Sequence, residues 1–161
     1  MKLLAFFISI LFISLPDLSE VRKQYIEAAE SEKQALELFE TMEGVKDNSS
    51  NYTLLAYKAA AYTLRAKYEK GLLNKKNLFT TGAKMLEQVI ENDSDNYEAR
   101  LIRLSIQANA PKITGYTKNI EEDKSFIIKY YDAQSADLKE FAKGFISQSS
   151  VFSASDKAMI K

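Results

Sequence analysis

The chain has no histidine and no cysteine, so its reactive chemistry is left to carboxylates, hydroxyls and tyrosines. The usual nucleophile–base pairs and zinc centres need the missing residue types. Paired carboxylates remain, and Glu121-Glu122-Asp123 is a cluster of them. It falls at a predicted helix start, where acidic side chains favour the helix dipole without any catalytic duty, and that reading is the stronger. Ser94-Asp95-Asn96 spells a tripeptide of penicillin-binding enzymes. Its context fails: Thr81-x-x-Lys84 stands in for Ser-x-x-Lys, and no Lys-Thr-Gly follows. Asp93-x-Asp95 opens like a calcium loop but lacks that loop's glycine and closing glutamate. No metal or cofactor is expected. Asn48-Ser49-Ser50 and Asn51-Tyr52-Thr53 match the N-glycosylation acceptor, which matters only in a eukaryotic secretory pathway.

Tyrosines are the more informative set. Tyr57, Tyr62 and Tyr68 share one predicted helix with Tyr52, and Tyr97 stands at a related corner. A tyrosine buries a large ring yet keeps a polar tip, which suits core edges and groove linings alike. With Arg65 and Arg100 these residues make the candidate binding set: Tyr57, Tyr62, Arg65, Tyr68, Tyr97 and Arg100. The plainer reading is that the tyrosines are core residues with their hydroxyls reaching water.

The elements that must position them are helical. Ala, Leu, Glu, Lys and Gln are strong helix formers, only two prolines and five glycines occur, and no alternating β-branched run appears. At 161 residues with 46% hydrophobic content the chain suits one domain with a real core. Its formal net charge is zero, which argues against a nucleic-acid binder with its basic stripe. Lys2 followed by the apolar run of residues 3–15 reads as a signal peptide. That run is short of the ~20 apolar residues that span a bilayer. The expected division is therefore a signal peptide over residues 1–14 and a single helical domain over 15–161. No cysteine follows the run, which excludes a lipoprotein anchor.

Capping pairs then mark the helices. Asp17 with Glu20, Ser31 with Gln34, and Asn119 with Glu122 have capping-box spacing, and Ser153 and Asp156 suggest a short last turn at the C-terminus. Ala35, Leu36, Phe39 and Met42 form the expected buried stripe of the second helix, and Gly44 its C-cap. The span Tyr52–Tyr68 is apolar on two stripes, so it packs between neighbours, and Ala59-Ala60-Ala61 lets them come close. Gly71 is expected to end it and Asn74 to cap the next helix, which runs to Glu91. Residues 82–106 then hold the end of that helix, a polar corner at residues 92–96, and a helix with stripes Tyr97/Leu101/Leu104 and Ile102/Ile106. After Asn109-Ala110-Pro111 an irregular stretch leads to a helix through Phe126 and Ile127. Another starts at Ser135 and is buried through Leu138, Phe141, Ala142, Phe145 and Ile146. About seven helices result.

Part of the chain repeats. Ala35-x3-Phe39-x2-Met42 recurs as Gly82-x3-Leu86-x2-Val89, and the corner Asn51-Tyr52 recurs as Asn96-Tyr97. Small-x3-large-x2-apolar, then a corner, then a new helix, resembles the tetratricopeptide repeat over residues 18–107. The likeness is degenerate, with Ser94 at the family's corner proline and an offset longer than its period of about 34 residues. The short leader, the LLAYKAAAYTLRAKY helix and the RLSIQ–P–NIEEDK tail also resemble small exported helical proteins of Bacteroidota-type bacteria, which lack an assigned activity. The expectation is an all-α domain of stacked antiparallel helical hairpins, periplasmic or extracellular, that is non-catalytic and binds or scaffolds a protein or peptide. Nucleic acid is not expected as a partner, and membrane contact only through the signal peptide. The alternatives are a helical bundle holding a small apolar ligand between Tyr57, Tyr62, Phe126 and Phe141, or an enzyme using carboxylates or a tyrosine.

Overall fold

A computed structural model of the protein describes residues 15–160. The expected signal peptide, residues 1–14, lies outside them. Among the described residues the protein is all-α, with eight α-helices, two 3-10 turns and no strand. The helices are α1 (Leu18–Glu30), α2 (Glu32–Glu43), α3 (Tyr52–Tyr68), α4 (Leu72–Asn92), α5 (Tyr97–Asn109), α6 (Ile120–Tyr130), α7 (Ala136–Gln148) and the short α8 (Ala154–Ala158).

Local side-chain chemistry sets most of the starts. The Asp17 carboxylate accepts from the Ser19 and Glu20 N–H groups, and the Ser31 hydroxyl from Gln34 N–H. Asn51 and Asn96, the two related corners, each cap their helix through the side-chain oxygen, to Leu54 and Ala99 N–H. Ser135 caps α7, and Ser153 with Asp156 forms a full capping box on α8. Each such cap satisfies a first-turn donor that the helix itself leaves free.

Three expectations need correction. Gly71 does not end α3: that helix stops at Tyr68, and Gly71 is the N-cap of α4, which puts Asn74 inside α4. Asn119 precedes α6 without capping it, because its amide donates to the Glu122 carboxylate instead. On α2 the buried stripe is Ala35, Leu38 and Met42, while Leu36 faces water.

The helices pair as antiparallel hairpins, α1 with α2, α3 with α4, and α5 with α6. The hairpins stack in chain order, α3 lying against both helices of the first pair and α5 against both of the second. One buried cluster joins α1 to α5, and a second joins α5 to the C-terminal helices. The two faces of α5 divide between them: Ala99, Ile102 and Ile106 enter the first, and Tyr97, Leu101 and Leu104 the second.

The tightest approach is between α3 and α4. A Cβ placed on Gly82 would lie 2.5 Å from the Ala59 carbonyl oxygen and 2.8 Å from Thr63 Cγ2. Hence a hydrogen is the only side chain that fits there. Gly144, inside α7, has open space instead. The contrast yields a prediction. Gly82→Ala is expected to destabilise the fold by about 1–3 kcal/mol, as overpacking does. Gly144→Ala is expected to stabilise it by about 0.5–1 kcal/mol through helix propensity. Urea denaturation of both variants beside the parent checks the opposite signs, and a Gly82→Ala chain as stable as the parent would refute the close approach.

Candidate functional site

Since α5 is buried on both apolar faces, its charged residues have no route to open water. Glu98 is 4% exposed, Arg100 9% and Arg103 3%. Ions out of water need paired charge and hydrogen bonds, and the neighbouring helices supply both.

On one side of α5, Glu98 meets α1 and α3. Its two oxygens accept from Arg22 Nε and Nη2, each at 2.7 Å, the bidentate fork that makes Arg–carboxylate pairs strong. Tyr57 donates its hydroxyl to the same carboxylate at 2.5 Å. Tyr25 packs edge-on against Tyr57 at 5.6 Å, and its hydroxyl donates to Ser105 at 3.1 Å. Glu98 thus fastens α1 and α3 to α5.

On the other side, Asp123 of α6 is wholly buried. Its Oδ2 accepts from Arg103 Nε at 2.6 Å, and its Oδ1 from Arg103 Nη2 at 2.8 Å and Arg100 Nη1 at 3.0 Å. Arg103 continues to Glu87 of α4 at 2.8 Å, and Glu87 accepts the Tyr116 hydroxyl at 2.5 Å. Arg100 also donates to the Ser94 carbonyl and to Glu122, and its guanidinium lies 4.4 Å from the centre of the Phe126 ring. The acidic cluster at residues 121–123 is therefore not only a dipole feature. Asp123 is the counter-charge of two arginines, Glu122 partners Arg100, and Glu121 pairs with Lys124.

These surroundings shift titrations in definite directions. Burial lowers the Arg103 pKa, but hydrogen bonds to and the charges of Asp123 and Glu87 raise it further, so the guanidinium stays charged. Arg22 is raised mainly by its hydrogen bond to Glu98. Burial pushes up Tyr25, Tyr57, Tyr97, Tyr116 and Tyr131. The Glu98 charge adds to the effect at Tyr57, and the Glu87 hydrogen bond at Tyr116.

The candidate binding residues do not converge on one surface. Tyr57, Tyr97 and Arg100 lie in the interior with partners there, Tyr97 donating to the Ile127 carbonyl at 3.3 Å. Tyr62, Arg65 and Tyr68 are half-buried along α3. Tyr62 packs on Phe39 at 4.9 Å, Arg65 pairs with Glu69 at 3.8 Å, and Tyr68 donates to the Ala29 carbonyl at 3.0 Å. Nor do Tyr57, Tyr62, Phe126 and Phe141 enclose a common cavity: Phe141 meets Tyr25, while Phe126 lies against Tyr97 and Tyr130.

A shallow open cleft of about 350 Å³ lies where α3 hands over to α4, lined by Glu69, Asn74, Asn77, Leu78 and Thr81. Asn74, Asn77, Leu78 and Thr81 recur at helical spacing and so share one face of α4. A smaller hollow of about 130 Å³ lies between α7 and the C-terminus, at Lys143, Ile146, Ser147, Lys157 and Ile160. Among the described residues no three acidic side chains group as a metal site. The Asp93 carboxylate accepts the Asn96 amide, which orders the corner.

No protein-family model, curated protein or solved structure matches the chain. Sequence reasoning gave Asp123 only a helix-dipole role, and missed the pairing of Glu98, Arg22 and Arg103, and the cleft. A signal existed: arginine is scarce beside lysine, and two of the four arginines sit one turn apart on a helix apolar on two stripes. Arginine is the cation suited to buried bidentate pairs.

Two predictions follow from the network. Asp123→Asn is expected to cost about 3–5 kcal/mol, because two buried guanidinium groups lose the buried counter-charge they share and keep only the more exposed Glu122 and Glu87. Glu122→Gln, at an exposed carboxylate, should cost less than about 1 kcal/mol. Equal small losses in denaturant titrations would show that the interior is wet. The second concerns alkaline pH. The five raised tyrosines are neutral in the fold, so their stabilisation is complete below the ordinary tyrosine pKa of about 10. It is lost as pH rises above that value, because the unfolded chain then releases protons the fold retains. Their tyrosinate absorbance should rise together with the loss of helical circular dichroism, and Tyr57→Phe should shrink that step. Full ionisation of all nine tyrosines with the helices intact would contradict it.

Proposed function

We infer that the chain is a non-catalytic binding module of the cell envelope that presents the α3–α4 cleft to a short extended peptide segment of a protein partner. The observation that carries this is the lining of the cleft. Asn74 and Asn77 offer amides, each both donor and acceptor, which match the paired N–H and C=O of an extended backbone. Thr81 adds a hydroxyl, Leu78 an apolar floor, and Glu69 with Arg65 a charged end. The cleft is open rather than enclosed. A small apolar ligand needs a site that buries most of its surface, so an extended chain lying along α4 suits the shape better. The stacking of helical hairpins in chain order supports the same reading, since helical solenoids use extended surfaces for recognition. Export and an envelope location rest on residues 2–15 as a signal peptide.

The buried carboxylates also favour this reading over an enzyme. Glu98 and Asp123 hold guanidinium groups between helices, which is a positioning task.

A peptide-display selection against the full chain tests the proposal. Selected peptides are expected to lose at least about tenfold in affinity on Asn74→Ala with Asn77→Ala, since each backbone hydrogen bond is worth about 0.5–1.5 kcal/mol. Peptides that bind this variant and the parent equally would move the site elsewhere, and a selection that yields none would remove the peptide reading.

A further inference from the structure

The first turn of α4 displays two leucines that nothing in the fold covers. Leu72 is 83% exposed and Leu73 71% exposed. They lie in Lys70-Gly71-Leu72-Leu73-Asn74-Lys75-Lys76. The Lys75 ammonium donates to the Lys67 carbonyl at 3.3 Å, at the last turn of α3. Three lysines, Lys70, Lys75 and Lys76, thus flank two bare leucines on a chain whose net charge is zero.

The acid of this corner is engaged locally. The Glu69 carboxylate accepts from the Lys70 and Gly71 N–H groups at 3.0 and 3.3 Å and faces Arg65. Lys67 also donates to the Ala29 carbonyl, next to the exposed Glu30, so acidic charge borders the patch on that side. No side chain caps α4, which leaves the first-turn N–H groups open to an anionic oxygen.

Consecutive helix residues point about 100° apart at 3.6 residues per turn. A rigid protein groove that receives Leu72 therefore turns away from Leu73, whereas a fluid acyl layer surrounds both. Lysines at the rim then meet acidic headgroups, and open N–H groups meet lipid phosphate. No helix among the described residues is long and apolar enough to cross a membrane, so the contact is interfacial. We propose that the α3–α4 corner docks the chain reversibly on the surface of an anionic phospholipid bilayer, with Leu72 and Leu73 inserted and Lys70, Lys75 and Lys76 on the headgroups. The peptide reading is not required for this. If both hold, the docked corner keeps the adjoining cleft at the membrane surface.

The chain contains no tryptophan, so Leu73→Trp installs a single reporter at an exposed site. The full chain carrying it is mixed with vesicles of phosphatidylcholine alone or with phosphatidylglycerol added. The expected result is a blue-shifted emission, quenched by brominated acyl chains, with the anionic vesicles only and reversed by salt. Adding Lys70→Gln and Lys76→Gln should weaken binding by about 25-fold, roughly fivefold for each lysine. An unshifted emission from chain that still sediments with the vesicles would assign binding to another segment, such as the apolar residues 3–15, and overturn the proposal. So would the same shift on neutral vesicles, or on soluble polyglutamate, which would point to an acidic protein surface.

Discussion

Everything in this fold turns on α5 having no side that faces water. A helix lying between two apolar clusters must bury whatever its sequence places around the whole cylinder, and at three of its positions the sequence places charge. An unpaired buried ion costs several kcal/mol even after relaxation. The helix therefore stays in place only if α1, α4 and α6 deliver counter-charges at the right height. Arg22 does so for Glu98, with Tyr57 of α3 adding a neutral hydroxyl donor; Glu87 and Asp123 do so for Arg103, and Asp123 with Glu122 for Arg100. The pairs add little net stability over a well-packed apolar replacement. Their effect is selective: a hairpin shifted by one helical turn would strand at least one buried charge. The leucines and isoleucines of α5 could accept such a shift at small cost, since apolar packing is non-directional.

The α3–α4 pair solves a different problem. Helix α3 is buried along most of its length, as α5 is, but it meets its neighbours with alanines. Small side chains bring backbones together, and Gly82 is where the approach is closest. This closely packed pair forms the middle of the stack and carries two outward features. The cleft lies along a face of α4 that the close packing turns outward, and the bare leucines sit at the end where α4 begins. A surface that must hold a partner in fixed geometry is best built on regular helices rather than loops.

Much of this was legible in the sequence, for identifiable reasons. Helix starts read well where caps are local: Asp17, Ser31, Ser135 and Ser153 each bond to a backbone group within three residues. Gly71 misled because glycine is compatible with either end of a helix, and only the bonding of Glu69 to Lys70 and Gly71 decides which. Leu36 and Leu38 compete for one stripe, and sequence spacing does not say which direction the neighbours lie. The interior charges were illegible for a deeper reason. Arg22 and Glu98 are distant in the chain, so no window of periodicity contains both. The acidic start of α6 satisfies the dipole rule so well that it hid Asp123's longer-range duty. The candidate tyrosines show the same limit: ring size and spacing predicted burial or display equally, and tertiary contacts put Tyr57 and Tyr97 inside but left Tyr62 and Tyr68 half out.

Because the interior carboxylates are held by the fold's own guanidinium groups, the binding proposed for this protein is assigned to its surface. Asp123 and Glu98 are each held by guanidinium groups and, at Glu98, by a tyrosine hydroxyl. To free either carboxylate for a ligand would break the contacts that seat α5. The surface, by contrast, carries groups the fold does not use. Leu72 and Leu73 contribute nothing to either buried cluster, and leaving two large apolar side chains in water brings no folding benefit. Cationic neighbours in a chain balanced to zero charge concentrate positive potential at the same corner, and such local fields act over about a Debye length whatever the net charge. Apolar exposure and positive charge coincide where α4 begins. A partner that meets both at once gains from each without disturbing the helices beneath.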